Sequence, residues 1–149
     1  MRAGLIGSMA LAGWLAGAGL AGAADPRELV AMPPEVRDSL LMNMQDHLVT
    51  LDTIVAHVAS ERFTEAARLA DERLRFTTTS PAGEAAILSW FPAPMQGARE
   101  ALRAAAQRFS FAAQQADRKR DYASLRELNW ALGDITAACT GCHGHYRVR

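Results

Sequence analysis

Apolar residues recur along this chain at spacings of three and four, and no stretch keeps the two-residue alternation of a half-buried strand. Pro33-Pro34 predicts the start of a first helix. Its seam is Leu41, Met44, Leu48, Leu51, Val55 and Val58, a heptad pattern. Leu40, His47 and Ile54 widen that face, while Asp38, Gln45, Asp46 and Asp52 lie away from it. A second helix is predicted over residues 64–76, with Ala66, Ala67, Ala70 and Leu74 on a weaker apolar face. Residues 77–83, Thr-Thr-Thr-Ser-Pro-Ala-Gly, predict a break. Residues 84–92 connect onward, with a helical turn over 85–88 and Trp90-Phe91 at the end. A third helix starts near Pro94 and carries Met95, Ala98, Leu102, Ala105, Phe109, Ala112 and Ala116. Arg118-Lys119-Arg120-Asp121 ends it, and a last helix carries Leu125, Leu128, Leu132, Ile135, Cys139, Cys142 and Tyr146.

Four amphipathic helices with mostly short connections predict an all-α fold, an antiparallel four-helix bundle. The heptad spacing favours shallow crossing angles.

The first residues predict a different fate. Arg2 precedes an uncharged apolar run over residues 5–20, and Ala21-Gly22-Ala23 supplies small residues for cleavage. This is the pattern of an export leader. A single membrane anchor is the competing reading, but the run is short and Gly-rich. The division expected is a signal peptide over 1–24 and one domain over 25–149, in the periplasm. Basic and acidic side chains balance at 16 each. Without a basic stripe there is no case for nucleic acid as a partner.

Chemistry enters at Cys139-Thr140-Gly141-Cys142-His143, six residues from the end of the sequence. C-x-x-C-H is the attachment signature of a c-type haem, in which both thiols form thioethers and the His binds iron. On a helix the three side chains project from one face. These are the only two Cys residues in the chain, so no structural disulfide exists elsewhere. A thioredoxin-type dithiol would sit at a helix N-terminus after a strand, and no strand is predicted. A zinc site would need two more ligands, for which His145, His47 and His57 are the candidates. Export, a periodic core and the trailing His favour one covalent haem c.

The exported helical pattern ending in Cys139-Thr140-Gly141-Cys142-His143-Gly144-His145-Tyr146-Arg147 resembles the cytochrome c-prime family. Tyr146 and Arg147 match the aromatic and basic residues that follow the ligand His in that family. The stretch over residues 37–51 matches more loosely. The resemblance implies a periplasmic haem protein, often a homodimer packed through its early helices. It also implies a choice at the sixth iron position. High-spin members leave it empty behind a bulky apolar residue of the first helix and bind nitric oxide or carbon monoxide. Low-spin members fill it with a Met of that helix and carry electrons.

Met44 is the better ligand candidate, since it lies on the seam while Met42 shares a face with Asp38 and Gln45. Asn43-Met44 with Leu51 and Ile54 also resembles the first helix of the soluble b-type four-helix cytochromes, where the matching Met binds iron. Its competing role is plain core filling. Leu41, four residues after Arg37, stands where high-spin relatives carry the residue over the empty face. His47 is a third candidate ligand. Arg37 and Arg147 are candidates for pairing with the haem propionates, since an Arg fork suits a carboxylate. Met95, Trp90 and Phe91 could wall the haem, His57 and His145 are expected in solvent, and Trp130 is expected at the surface or at a dimer contact.

No acid–base pair, nucleophile or phosphate loop points to an enzyme. The function expected is single-electron transfer to and from a periplasmic redox partner protein, with His143 and Met44 on iron. The alternative is a five-coordinate haem that binds a diatomic gas behind Leu41. A third class is a helical module that uses C-x-x-C for metal or redox work without haem.

Overall fold

The computed structural model describes residues 24–75 and 81–149. The leader expected over residues 1–24 lies outside them, apart from Ala24. Among the described residues no helix is long and apolar enough to cross a membrane.

The chain is predominantly helical, as the periodicity predicts. A short strand β1 (Glu28–Val30) precedes α1 (Pro34–Ala59) and α2 (Phe63–Leu69), which runs on as a π-helical turn over Ala70–Leu74. Then come α3 (Pro81–Leu88), α4 (Ala93–Lys119), α5 (Tyr122–His143) and a final strand β2 (Tyr146–Val148). Pro34 and Pro94 each occupy the first turn of their helix, where a missing N–H costs nothing. Asp121 caps α5, its carboxylate accepting from the Ser124 amide at 2.7 Å. That bond holds the Asp121 carboxyl below the usual range.

Two tight turns at one end of the helices brace each other. Glu61 and Arg120 both have positive φ, 56° and 50°, a conformation that costs a residue with a Cβ about 1–2 kcal/mol. The Arg120 guanidinium pairs with Glu61 at 3.1 Å and with Asp117 at 2.7 Å. It also lies over the Phe63 ring, 5.3 Å from its centre.

α4 and α5 make the most extensive helix pairing, and α2 with its π turn bridges α1 and α4. α1 and α5 are not among the pairs with extensive backbone approach; their side chains meet in shared apolar clusters. The main cluster holds Ile54, Phe63, Leu74, Leu102, Phe109, Leu128 and Ile135. Each large side chain buried there contributes about 1.5–3 kcal/mol. The second cluster, at the other end, joins Val30, Leu40, Ile87, Phe91 and Met95.

Four features depart from the sequence-based expectation. First, β1 and β2 pair in parallel, Val30 opposite Val148, where no strand is expected; three residues are too few to show alternation. Second, α1 turns a different seam inward. Leu40, His47, Thr50 and Ile54 are buried, while Leu41, Leu48 and Val55 are 45, 69 and 47 % exposed. Both seams share Met44, Leu51 and Val58, so spacing alone does not choose between them. Third, α2 gives way to a π turn ending at Leu74, and α3 begins at Pro81, inside the break expected over 77–83, of which residues 77–80 lie outside the described residues. Fourth, Glu84 and Arg99 are buried as an ion pair, 3.3 Å apart. Arg99 also donates to the Arg75 carbonyl at 2.7 Å, which ties α3 and the π turn to α4.

Candidate functional site

The last two turns of α5 carry Cys139, Cys142 and His143, and the helix ends at His143. The Gly144 amide donates to the Thr140 carbonyl at 2.8 Å, and the His145 amide to the Cys142 carbonyl at 3.1 Å. These bonds close the helix end and turn the chain into β2. A side chain at Gly144 would meet the Thr140 carbonyl at 2.9 Å, so the close turn needs glycine for space.

Both cysteines are free thiols and half-buried. Burial pushes both above their ordinary pKa range, and Cys139 adds to the push on Cys142. The two therefore keep their protons at neutral pH, the reverse of an activated dithiol. They also face different surroundings. Cys139 packs against the main cluster, and Cys142 against the second.

Met44 reaches the same second cluster from α1, with Leu40 buried one turn before it. The structure thus brings Met44 and Cys142 onto one apolar cluster across the gap between α1 and α5. Leu41 is 45 % exposed and outside both clusters. His47 is buried one turn beyond Met44. The His143 imidazole is exposed, while its carbonyl accepts from Arg27 Nη1 at 3.4 Å.

Arg37 is half-buried and forks onto its neighbour Asp38 at 3.0 and 2.8 Å. Arg147 stands on β2 between Tyr146 and Val148, the two that pack against the second cluster, and its Nε donates to the Arg27 carbonyl at 3.1 Å. Its Nη1 is buried without a hydrogen-bond partner. A buried donor left unpaired costs about 1–3 kcal/mol, so this atom invites an acceptor.

Phe91 and Met95 are buried in the second cluster, whereas Trp90 is exposed. His145 is exposed as expected, and its Nδ1 donates to the Gly141 carbonyl at 2.7 Å. His57, expected in solvent, is half-buried, with Nδ1 shielded and without a hydrogen bond. Trp130 is exposed beside Phe111 in a groove of about 680 Å³ between α4 and α5. That groove holds neither cysteine.

Sequence reasoning misses Met32, Leu40 and Val30 as members of this site. Leu40 is legible, seven residues before His47 on the inward seam; Val30 and Met32 have no periodic signal. Among the described residues, no three His, Cys, Asp or Glu side chains gather as a metal-ion site. Neither a protein-family model, nor a curated protein, nor a solved structure matches the chain.

Proposed function

We propose that this chain is a periplasmic monohaem c-type cytochrome that carries single electrons. In this reading α1, α2, α4 and α5 form an antiparallel four-helix bundle with one haem c at the end of α5. The observation that carries it is the meeting of Cys142 and Met44 at one apolar cluster, with His143 beside Cys142 on the same turn.

The residues present fit such a group. Cys139 and Cys142 stand three residues apart on α5 and would hold the group covalently through their sulfurs. The unpaired Arg147 Nη1 offers a donor for a propionate. When bound, the haem supplies a one-electron iron couple. His143 would give the iron a nitrogen ligand from the last residue of α5, directly after Cys142. Met44 gives a thioether, a ligand that raises the reduction potential. The second cluster keeps water from the face it covers. The exposed side of His143 is where a periplasmic redox partner would meet the site.

Leu40 favours one alternative. It is 4 % exposed in the same cluster. If Leu40 rather than Met44 faces the iron, the sixth position is open and the protein binds nitric oxide or carbon monoxide. We also propose that the protein is a homodimer, joined through the outward face of α1 where Leu41, Met42, Leu48, Val49 and Val55 are exposed.

The test is expression with a c-type haem maturation system, followed by intact mass and absorption spectra with and without carbon monoxide. A covalent haem with a low-spin spectrum indifferent to carbon monoxide supports the electron carrier. A high-spin spectrum that shifts with the gas supports the alternative. A colourless protein of unmodified mass overturns both.

A further inference from the structure

Residues 25–32 form a strap beside the end of α5. The Glu28 amide donates to the His145 carbonyl at 2.8 Å, and β1 pairs with β2 from Glu28–Tyr146 to Val30–Val148. Arg147 Nε bonds the Arg27 carbonyl at 3.1 Å and lies 3.6 Å from Asp25. The Arg27 guanidinium forks onto Asp25 at 2.8 and 3.0 Å and holds that carboxyl well below its usual range. From the strap, Val30 is buried in the second cluster, and Met32 packs against it.

The two thiols stand differently to this strap. Cys142 packs against the cluster that contains Val30. Cys139 packs against the main cluster, which includes no residue of the strap. α5 is long, capped and fixed along α4. The strap is held by one parallel pair of three-residue strands, by the half-buried Arg147–Asp25 pair and by the single buried side chain of Val30. A lone two-stranded pair is marginal in water, and surface ion pairs add about 0–1 kcal/mol each. Segments held by so few contacts open locally while the core stays folded.

We propose that the strap controls access to the Cys142 thiol and leaves Cys139 outside that control. With the strap open, Cys142 is reachable; with it closed, Val30 and Met32 complete the apolar cover. On the cytochrome reading, from which it takes its purpose, attachment at Cys142 precedes closure. The strap then locks the turn that carries His143.

The test needs no haem. The mature chain with free thiols is treated with iodoacetamide, and the adduct at each cysteine is followed by mass spectrometry. Val30→Asp places a charge in the cluster and expels the strap; Val30→Leu keeps it apolar. The expected result is a Cys142 rate at least about ten-fold faster in Val30→Asp, with Cys139 within about two-fold of the unaltered chain. Val30→Leu stays within about two-fold at both. An unchanged Cys142 rate, or a matching rise at both thiols, overturns the proposal. If Val30→Asp loses helix, amide hydrogen exchange on the unaltered chain decides. The Glu28 amide should exchange well ahead of the Leu128 and Ile135 amides, and exchange in step with them overturns the strap as a local gate. Failure of the cytochrome reading shows separately, as absence of a covalent mass increase after maturation.

Discussion

Leu40 and Leu41 are neighbours on α1 with different surroundings: Leu40 is 4 % exposed inside the second cluster, and Leu41 is 45 % exposed outside it. One residue on a helix is a rotation of roughly 100°, enough to exchange a core position for a surface one. Leu40→Ala should therefore cost about 2–5 kcal/mol, the range for a buried Leu truncation. Leu41→Ala should cost under about 1 kcal/mol. Urea unfolding of the two variants side by side measures the difference, and equal losses would mean that α1 turns its other seam inward.

Met44 carries the proposed function. In the haem-loaded protein, Met44→Ala should change a low-spin spectrum to a high-spin one and create carbon monoxide binding. The variant should keep its helix content, because Met44 is only half-buried. An unchanged absorption spectrum would remove Met44 from the iron. In that case, Leu40→Ala should speed gas binding instead, since it would open the space over the sixth position.

The helical class was legible because α4 and α5 each have a single apolar seam, and every member the spacing picked on them is buried or half-buried. α1 was only half legible. One of its seams runs through Leu40, His47 and Ile54, the other through Leu41, Leu48 and Val55. The two share three residues, and the outward one is the richer in apolar side chains. The inward one contains a histidine, which no hydrophobic count rewards. The motif on α5 was legible from its spacing, whereas its surroundings were not. β1 is too short for periodicity, and its partner lies at the far end of the chain. The buried Glu84–Arg99 pair was hidden for another reason: charged residues read as surface until a partner is seen beside them.

The exposed apolar face of α1 gives a prediction of assembly. Leu41, Leu48 and Val55 repeat every seven residues, with Met42 and Val49 beside them. A stripe of this kind suits a helix packed against its own copy. The chain should sediment as a dimer at micromolar concentration, and Leu48→Glu should give a monomer with unaltered circular dichroism. A chain that stays monomeric across the concentration range would assign this face to something other than a second copy.

Gly141 and Gly144 sit in and just after the motif and should respond in opposite directions. Nothing lies within 4 Å of a Cβ built on Gly141, whereas one on Gly144 meets the Thr140 carbonyl at 2.9 Å. Gly141→Ala should raise the thermal midpoint, since Ala in a helix gains about 0.5–1 kcal/mol over Gly. Gly144→Ala must push the backbone of the turn and should lower the midpoint. Paired melting curves of the chain without haem decide this, and a neutral Gly144→Ala would show that the turn has room to shift.

The thiols make stability depend on pH in a way that haem attachment should abolish. Burial raises both thiol pKa values in the folded chain, so the unfolded chain releases these protons first as pH rises. Fewer bound protons in the unfolded state mean that stability falls with pH. The contribution is whole below the ordinary thiol range, about 8.5, and is lost as pH climbs from there through the raised folded values. Urea midpoints from neutral pH into the alkaline range should therefore drop more steeply for the thiol-bearing chain than for the Cys139→Ser, Cys142→Ser double variant. Tyr and Lys titrate in both proteins and cancel in the comparison. Thioether formation removes both titrating protons, so the haem-loaded chain should follow the shallower profile of the Ser variant. Identical profiles for the thiol-bearing and Ser chains would mean that the thiols titrate alike in the folded and unfolded states, and that neither is held in the apolar surroundings described for α5.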